Sequence, residues 1–209
     1  MDGVMASTVI AITGEVGAGK STVSRFFAEE LGELIDADAI VAELWRTERV
    51  KSAAAARWGG EIIDSAGNVI HSAVAKRAFS GDSSEYQWLN ALLHPLVHTE
   101  IENRITSLAD GFGIVEIPLF FESKSYSTRP SWLSSVVFVT SPREIRLRRC
   151  FEQRGWSDAE LARRESFFLS SAKRIELSDY VIQNDGELDK LKKAVKEILN
   201  AVSKSGGGV

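Results

Sequence analysis

Nine residues near the amino terminus have the types and spacing of a phosphate-binding loop. They are Gly14, Glu15, Val16, Gly17, Ala18, Gly19, Lys20, Ser21 and Thr22, of which the first eight match G-x-x-x-x-G-K-[S/T]. Glycines let the backbone turn tightly, so that successive N–H groups can approach phosphate oxygens. A helix opening at Lys20 would add its free N–H groups and the positive end of its dipole. The pattern predicts an ATP site, with Lys20 on the β- and γ-phosphates and Ser21 as a ligand of Mg²⁺.

Two carboxylates follow the next short apolar segment, 33–35. Asp36 and Asp38 lie where a strand would end, and open α/β sheets bind ligands at the carboxyl ends of their strands. Asp38 has two interpretations, the N-cap of a helix over 39–45 or a catalytic carboxylate. The phosphate-binding pattern just before it favours catalysis, and one residue could serve both purposes.

Apolar periodicity predicts the elements that would position these residues. Strands are expected at 8–13, 33–35, 113–117, 136–140 and 180–182, and helices at 20–31, 144–154, 158–168, 170–177 and 188–202. The alternation lapses over 47–108, where the pattern is helical and a helix at 85–108 is expected to break at His94-Pro95. The chain is therefore predicted to be an α/β protein with an inserted helical lobe that covers a second substrate.

Composition and charge exclude several classes of protein. Of the 209 residues, 44% are apolar, and the net charge of −4 argues against a nucleic-acid-binding surface. The single cysteine, Cys150, cannot form an internal disulfide, so we expect a reducing compartment and a buried structural thiol. No apolar run approaches the roughly eighteen residues of a membrane span, and no signal peptide is recognised. A cytoplasmic protein without a membrane partner is predicted, and the ends, 1–7 and 203–209, are expected to lack regular structure.

Several segments, in order along the chain, resemble the dephospho-CoA kinase family. The similarity covers 12–22, 35–38, 92–96, 117–122, Arg149 and 178–186. The resemblance implies a P-loop kinase domain over 1–209, with a five-stranded parallel sheet flanked by helices. It also implies a helical CoA-binding lobe at 47–110 and a helical lid at 143–175 that carries arginines. The implied reaction moves the γ-phosphoryl group of ATP to the ribose 3′-hydroxyl of dephospho-CoA, which is the final step of coenzyme A synthesis.

The resemblance also implies roles for single residues. Asp38 would orient the 3′-hydroxyl and accept its proton, while Lys20 and Arg149 would stabilise charge on the phosphates. Asn184 and Gly186 would pack on the adenine of ATP, and the acceptor would contact His94, Pro118, Leu119 and Glu122. Other interpretations stay open: a solvated helix face for Arg149, a structural histidine for His94 and a helix cap for Glu122. Glu116 is a candidate for holding a metal-bound water, and Asp36 for a similar role or for ordering the local turn.

Some positions depart from the family pattern. Glu15 stands where the family usually has glycine, and we expect its side chain to be tolerated only if it points to solvent. His71 replaces a residue that is usually basic, Gln153 stands at a lid arginine with Arg154 adjacent, and Phe168 stands where the family has glutamine. Arg146 and Arg148 are expected to be surface charges.

Two other functions therefore remain open. One is a P-loop kinase of another nucleoside or nucleotide acceptor, and the other is a nucleotide-binding regulatory module with a degenerate lid. The oligomeric state is also left open.

Overall fold

The structure is a computed structural model that describes residues 8–79, 83–108, 112–123, 126 and 128–206. The predicted segment 1–7 and the last three residues of the predicted tail 203–209 lie outside the described residues. Five strands form one sheet: β1 (Thr8–Gly14), β2 (Glu33–Asp36), β3 (Phe112–Glu116), β4 (Leu133–Thr140) and β5 (Tyr180–Gln183). Their order is β2-β3-β1-β4-β5 and every pairing is parallel, so the predicted five-stranded parallel sheet is confirmed.

The central strand is β1, and its position determines where the phosphate loop emerges. Its residues from Val9 onward are buried, as expected for a parallel strand covered on both faces. Ile12 lies beside Glu116 of β3, and Asp36 of β2 lies on the other side of Glu116. The carboxyl ends of β1, β2 and β3 thus meet at one edge of the sheet. The carboxyl ends of the strands are where open α/β sheets usually bind their ligands.

Nine α-helices lie within the described residues. They are α1 (Lys20–Leu31), α2 (Ala37–Leu44), α3 (Glu48–Trp58), α4 (His71–Ala78), α5 (Ser83–Thr106), α6 (Arg143–Arg154), α7 (Asp158–Glu165), α8 (Ser171–Glu176) and α9 (Leu188–Gly206). A short 3₁₀ helix spans Gly60–Ile62. The chain divides into two compact units, one of which is Ala37–Asn103, while the other contains the sheet and its flanking helices.

Each unit has its own apolar core. In the sheet unit, α1 and α9 bury one stripe each against the strands, with Phe27 of α1 and Val195 of α9 close to fully buried. In the unit Ala37–Asn103, Trp45 and Trp58 are the largest buried side chains of the core, and they pack with Val50, Ile62 and neighbouring residues. The tryptophans there serve packing, since burying a large aromatic side chain contributes strongly to a small core.

The structure corrects two expectations about helix ends. Pro95 does not break α5, which runs without interruption for 24 residues. A proline removes one hydrogen bond of a helix, and here buried Leu93 and Val97 hold the turns on either side of it in the core. The tail is also more regular than predicted, because α9 continues to Gly206, anchored by buried Val202.

In the described part of the chain, no helix combines the length and the apolarity that a bilayer span would need.

Candidate active site

The phosphate loop connects β1 to α1 and depends on two glycines with positive φ. Gly19 is the N-cap of α1 in the left-handed region (φ 85°), and a Cβ there would lie 2.4 Å from Nδ2 of Asn184. Gly17 has φ 75°, and a Cβ there would lie 2.8 Å from Sγ of Cys150. Only glycine fits both the backbone and the space. Cys150 is a buried free thiol, as predicted.

Lys20 reaches back over the loop from the first turn of α1. Its Nζ donates to the carbonyl oxygen of Glu15 at 3.1 Å and lies 3.5 Å from that of Gly14. The ammonium group is thus held at the loop, where a phosphate-binding lysine is required.

A hydroxyl and a buried carboxylate lie side by side next to the loop. Ser21 Oγ donates to Glu116 Oε1 at 3.1 Å. Burial raises the pKa of Glu116, and the nearby charge of Asp36 adds to the effect, although the nearby Ser24 hydroxyl and Lys20 oppose it. The other oxygen of Glu116, Oε2, is buried without a hydrogen-bond partner among the described residues. An oxygen ligand of this kind beside a serine hydroxyl fits Mg²⁺, which is usually held by one or two protein oxygens together with water and phosphate.

Arg149 and Asn184 support the loop from the other side. Arg149 Nη1 donates to the carbonyl oxygen of Ala18 at 3.1 Å, and its Nη2 donates to Oδ1 of Asn184 at 3.2 Å. Asn184 is buried just beyond β5, and its Nδ2 donates to the same carbonyl of Ala18 at 2.7 Å. Burial lowers the pKa of Arg149, with a further contribution from neighbouring Arg148. Gly186 follows in the same turn, with φ 106°.

The expectation that Glu15 points to solvent is wrong. Its side chain is buried and accepts hydrogen bonds from Thr140 Oγ1 (2.8 Å), the Ser141 N–H (3.1 Å) and Ser171 Oγ (2.6 Å). Arg146 Nε lies 3.2 Å from the carboxylate. Burial opposes ionisation, but the hydrogen bonds and Arg146 outweigh it and lower the pKa of Glu15. The charge is therefore tolerated because it is fully paired inside the protein.

The expectation that Arg146 is a surface charge is also wrong. Its side chain is buried, donates to the carbonyl oxygens of Ser141 (3.0 Å) and Val16 (3.2 Å), and forms an ion pair with Glu165. Arg148, in contrast, is exposed as expected.

Arg174 of α8 is the second buried arginine at the loop, after Arg146. Its Nη1 donates to the carbonyl oxygen of Gly14 at 3.3 Å, and burial lowers its pKa. The guanidinium lies 4.9 Å from the ring centre of Phe168 and 5.0 Å from that of Phe138. Phe168, which departs from the family pattern, lies beyond the end of α7 and serves as an aromatic contact for this arginine.

Glu122 lies near Arg174 and ends the segment that follows β3. Its Oε1 accepts a hydrogen bond from the Leu169 N–H at 3.0 Å, while Oε2 is buried without a hydrogen-bond partner among the described residues. Burial raises its pKa. In the same segment, the Pro118 carbonyl accepts a hydrogen bond from Thr13 Oγ1 at 3.2 Å, and the Leu119 carbonyl accepts one from the Ser123 N–H at 3.0 Å.

The remaining predicted residues lie in the unit Ala37–Asn103 or at the end of α6. Asp38 is exposed in the first turn of α2, which begins at Ala37, so Asp38 is not its N-cap. His94 is half-buried in α5, and burial lowers its pKa, which favours the neutral imidazole. His71 begins α4 and makes an edge contact with Trp45. Arg154, beside Gln153, has its guanidinium 4.8 Å from the ring centre of Trp156.

Sequence reasoning missed the buried arginines Arg146 and Arg174 and the pairing of Glu15. One signal could have found Arg146. It precedes Cys150 by four residues, so both lie on the same face of α6, and Cys150 was already predicted to be buried. The carbonyl that Arg174 holds, that of Gly14, is 160 residues away in sequence and left no such signal.

Comparisons with known proteins identify the family to which the chain is similar. The family model of dephospho-CoA kinase matches residues 8–190. The dephospho-CoA kinase of Corynebacterium diphtheriae is 31% identical over 194 residues, which are 91% of this chain and 94% of that protein. That of Mycolicibacterium paratuberculosis is 34% identical over 194 residues, 91% of this chain, but the chain spans only 46% of its length.

A solved structure extends the likeness to the fold. A protein of Thermus thermophilus has 30% sequence identity and a TM-score of 0.76, and the match covers 93% of this chain and 97% of that protein. The sheet order, the phosphate loop and the match of the family model along most of the sequence lead to one conclusion: the chain belongs to the dephospho-CoA kinase family.

Proposed function

We propose that this protein transfers the γ-phosphoryl group of ATP to the ribose 3′-hydroxyl of dephospho-CoA, giving coenzyme A and ADP. The observation that carries the proposal is the match of the family over residues 8–190, which includes the phosphate loop and the segment after β3. A P-loop kinase of another acceptor and a regulatory nucleotide-binding module are the alternatives that the experiment below distinguishes. A cytoplasmic location is part of the same proposal.

The loop and its supports bind ATP in this proposal. Backbone N–H groups of residues 14–22 and the ammonium of Lys20 contact the phosphates, with Thr22 on the α-phosphate. Asn184 and Gly186 lie on the adenine side. Arg149, whose contacts to Ala18 and Asn184 hold it against the loop, adds positive charge that stabilises the transferring phosphoryl group. The planar guanidinium can donate two hydrogen bonds at once to phosphate oxygens, which supports this role.

Ser21 and Glu116 are the residues that would hold Mg²⁺, with Asp36 ordering water nearby. The buried Glu116 Oε2 is the observation that supports them. When bound, the ion neutralises negative charge on the β- and γ-phosphates as it develops. Glu116 must be ionised to hold the ion, and burial, which raises its pKa, opposes that ionisation.

Asp38 is the residue that orients the 3′-hydroxyl and accepts its proton. Its carboxylate is exposed in the first turn of α2, so it is accessible to a substrate. Phosphoryl transfer asks mainly for positioning and charge stabilisation, so we expect its help near the low end of the usual ~10²–10⁴-fold. We propose that the acceptor contacts His94, Pro118, Leu119 and Glu122 and binds in the lobe at 47–110. Residues 143–175 are proposed to close over the site and exclude water.

One turnover assay tests the proposal. The purified chain is mixed with Mg-ATP and dephospho-CoA as the only acceptor, and ADP release is followed together with the mass and phosphorus NMR spectrum of the product. AMP and nucleosides are assayed in parallel, and Lys20→Ala serves as the inactive control. We expect ADP release that depends on dephospho-CoA, with phosphate on the ribose 3′ oxygen. Equal or faster turnover of a nucleoside, or ATP binding without acceptor-dependent ADP release, would contradict the proposal.

A further inference from the structure

The phosphate loop of this chain carries a buried carboxylate at a position where the family usually has glycine. Glu15 contacts three separate segments: the end of β4 through Thr140 and Ser141, α6 through Arg146, and α8 through Ser171. A glycine could make none of these contacts. The contacts therefore depend on the side chain of Glu15, which the pattern G-x-x-x-x-G-K-[S/T] does not require.

Two arginines near Glu15 donate hydrogen bonds to the loop backbone. Arg146 joins Glu15 to the Val16 carbonyl and to Glu165 of α7, and Arg174 of α8 holds the Gly14 carbonyl. The peptide group is planar, so holding the Val16 carbonyl also fixes the direction of the Gly17 N–H on the other side of that peptide. The Gly17 N–H is one of the donors that a phosphate would use.

We propose that Glu15 is a positioning residue that couples the phosphate loop to α6, α7 and α8. Nucleotide bound at the loop stabilises these helices, and the helices in turn hold the loop in its binding conformation. The two effects are equal in free energy, because coupling between two sites is reciprocal. The inference rests on the proposed function only in requiring that the loop binds a nucleotide.

A purely structural role would make different predictions. A buried ion pair can stabilise the folded chain without any effect on ligand binding, and removing one partner then lowers only the melting temperature. Coupling requires in addition that a ligand at the loop changes the local stability of α8. Hydrogen exchange in α8 with and without nucleotide separates the two roles.

The test measures ADP affinity by calorimetry and amide exchange at saturating ADP. Glu15→Gln removes the charge, and Ser171→Ala removes only the hydrogen bond that reaches α8. Their matched controls are Glu144→Gln in α6 and Ser203→Ala in α9, which change exposed residues. We expect roughly tenfold weaker ADP binding for Glu15→Gln and about two- to threefold for Ser171→Ala, the scale of charged and single hydrogen bonds.

Exchange of residues 171–176 gives the decisive result. In the unmodified chain and in both controls, ADP is expected to slow exchange there, and in Glu15→Gln and Ser171→Ala this slowing is expected to be lost. A variant that melts earlier but keeps both its ADP affinity and the slowed exchange of α8 would overturn the inference. Should Glu15→Gln not fold, Ser171→Ala decides alone.

ADP binding needs no acceptor, so this test is independent of the turnover assay. A chain that binds ADP with coupled protection of α8, yet phosphorylates no dephospho-CoA, would contradict the proposed function and leave the role of Glu15 intact. Turnover of dephospho-CoA without ADP-dependent protection of α8 would support the proposed function and contradict the role of Glu15.

Discussion

Replacing Gly19 by alanine tests whether the loop depends on close contact as well as on backbone freedom. Gly155, at the C-cap of α6, provides the matched control. Both residues are in the left-handed region, with φ 85° and ψ 37° at Gly19 and φ 67° and ψ 21° at Gly155. A Cβ at Gly155 meets nothing within 4 Å, whereas one at Gly19 lies 2.4 Å from Asn184 Nδ2. The two variants share the backbone cost and differ in the contact.

The size of the difference follows from the bonds that Asn184 would lose. The left-handed backbone costs an alanine about 1–2 kcal/mol at either position. At Gly19 the amide of Asn184 must also move, which breaks its hydrogen bond to Ala18 and the one it accepts from Arg149. A neutral hydrogen bond contributes about 1 kcal/mol and one to a charged group about 1.5–3 kcal/mol. We therefore expect Gly19→Ala to be less stable than Gly155→Ala by roughly 2.5–4 kcal/mol.

Urea unfolding of both variants, with calorimetric ADP binding, measures these effects. For a chain of this size the difference corresponds to melting temperatures about 5–15 °C apart. We also expect ADP to bind Gly19→Ala at least roughly tenfold more weakly, while Gly155→Ala keeps its affinity within about twofold. Equal free energies of unfolding for the two variants would contradict this expectation, because the contact with Asn184 would then cost nothing.

Three further substitutions test the proposed site. Lys20→Ala is expected to weaken ATP binding and to lower kcat by about 10²–10³-fold, and normal kcat at saturating ATP would contradict the role of the ammonium. Asp38→Asn is expected to lower kcat by about 10²-fold while ATP binding by calorimetry stays within about twofold; an unchanged kcat would leave Asp38 without a catalytic role. Glu116→Gln is expected to lower kcat and raise the Mg²⁺ concentration required, yet to leave the melting temperature unchanged or higher. The reason is that burial raises the pKa of Glu116, so its ionised form costs stability as pH rises through that pKa, and glutamine removes the cost. A lower melting temperature of Glu116→Gln with normal Mg²⁺ dependence would contradict the proposed role of Glu116.

Local patterns were sufficient to predict most of the fold. Central strands of a parallel sheet are apolar on both faces, so 8–13 and 136–140 could be assigned from short runs alone. The amphipathic stripes of α1 and α9 identified both helices. The pattern failed at Pro95, because the loss of one helix hydrogen bond was outweighed by packing of Leu93 and Val97, which no local rule contains.

At the site, too, features that depend on nearby residues could be predicted, and contacts between distant residues could not. The loop glycines act through backbone geometry, and Lys20 acts through the length of its side chain. Both depend on spacing along the chain, so the phosphate loop could be identified from the sequence alone. Glu15 and Arg146 were misplaced because a charged side chain is expected in water unless a partner is known. Their partners, Ser171 and Glu165, are 156 and 19 residues away, respectively.

The loop, the succession of strands and helices along the chain and the family resemblance could all be predicted from the sequence, since each depends on neighbouring residues or on a pattern along the chain. Which charges are buried became known only from the folded chain. The free energy of a buried charge depends on which donors meet it in three dimensions, and at Glu15 those donors come from β4, α6 and α8.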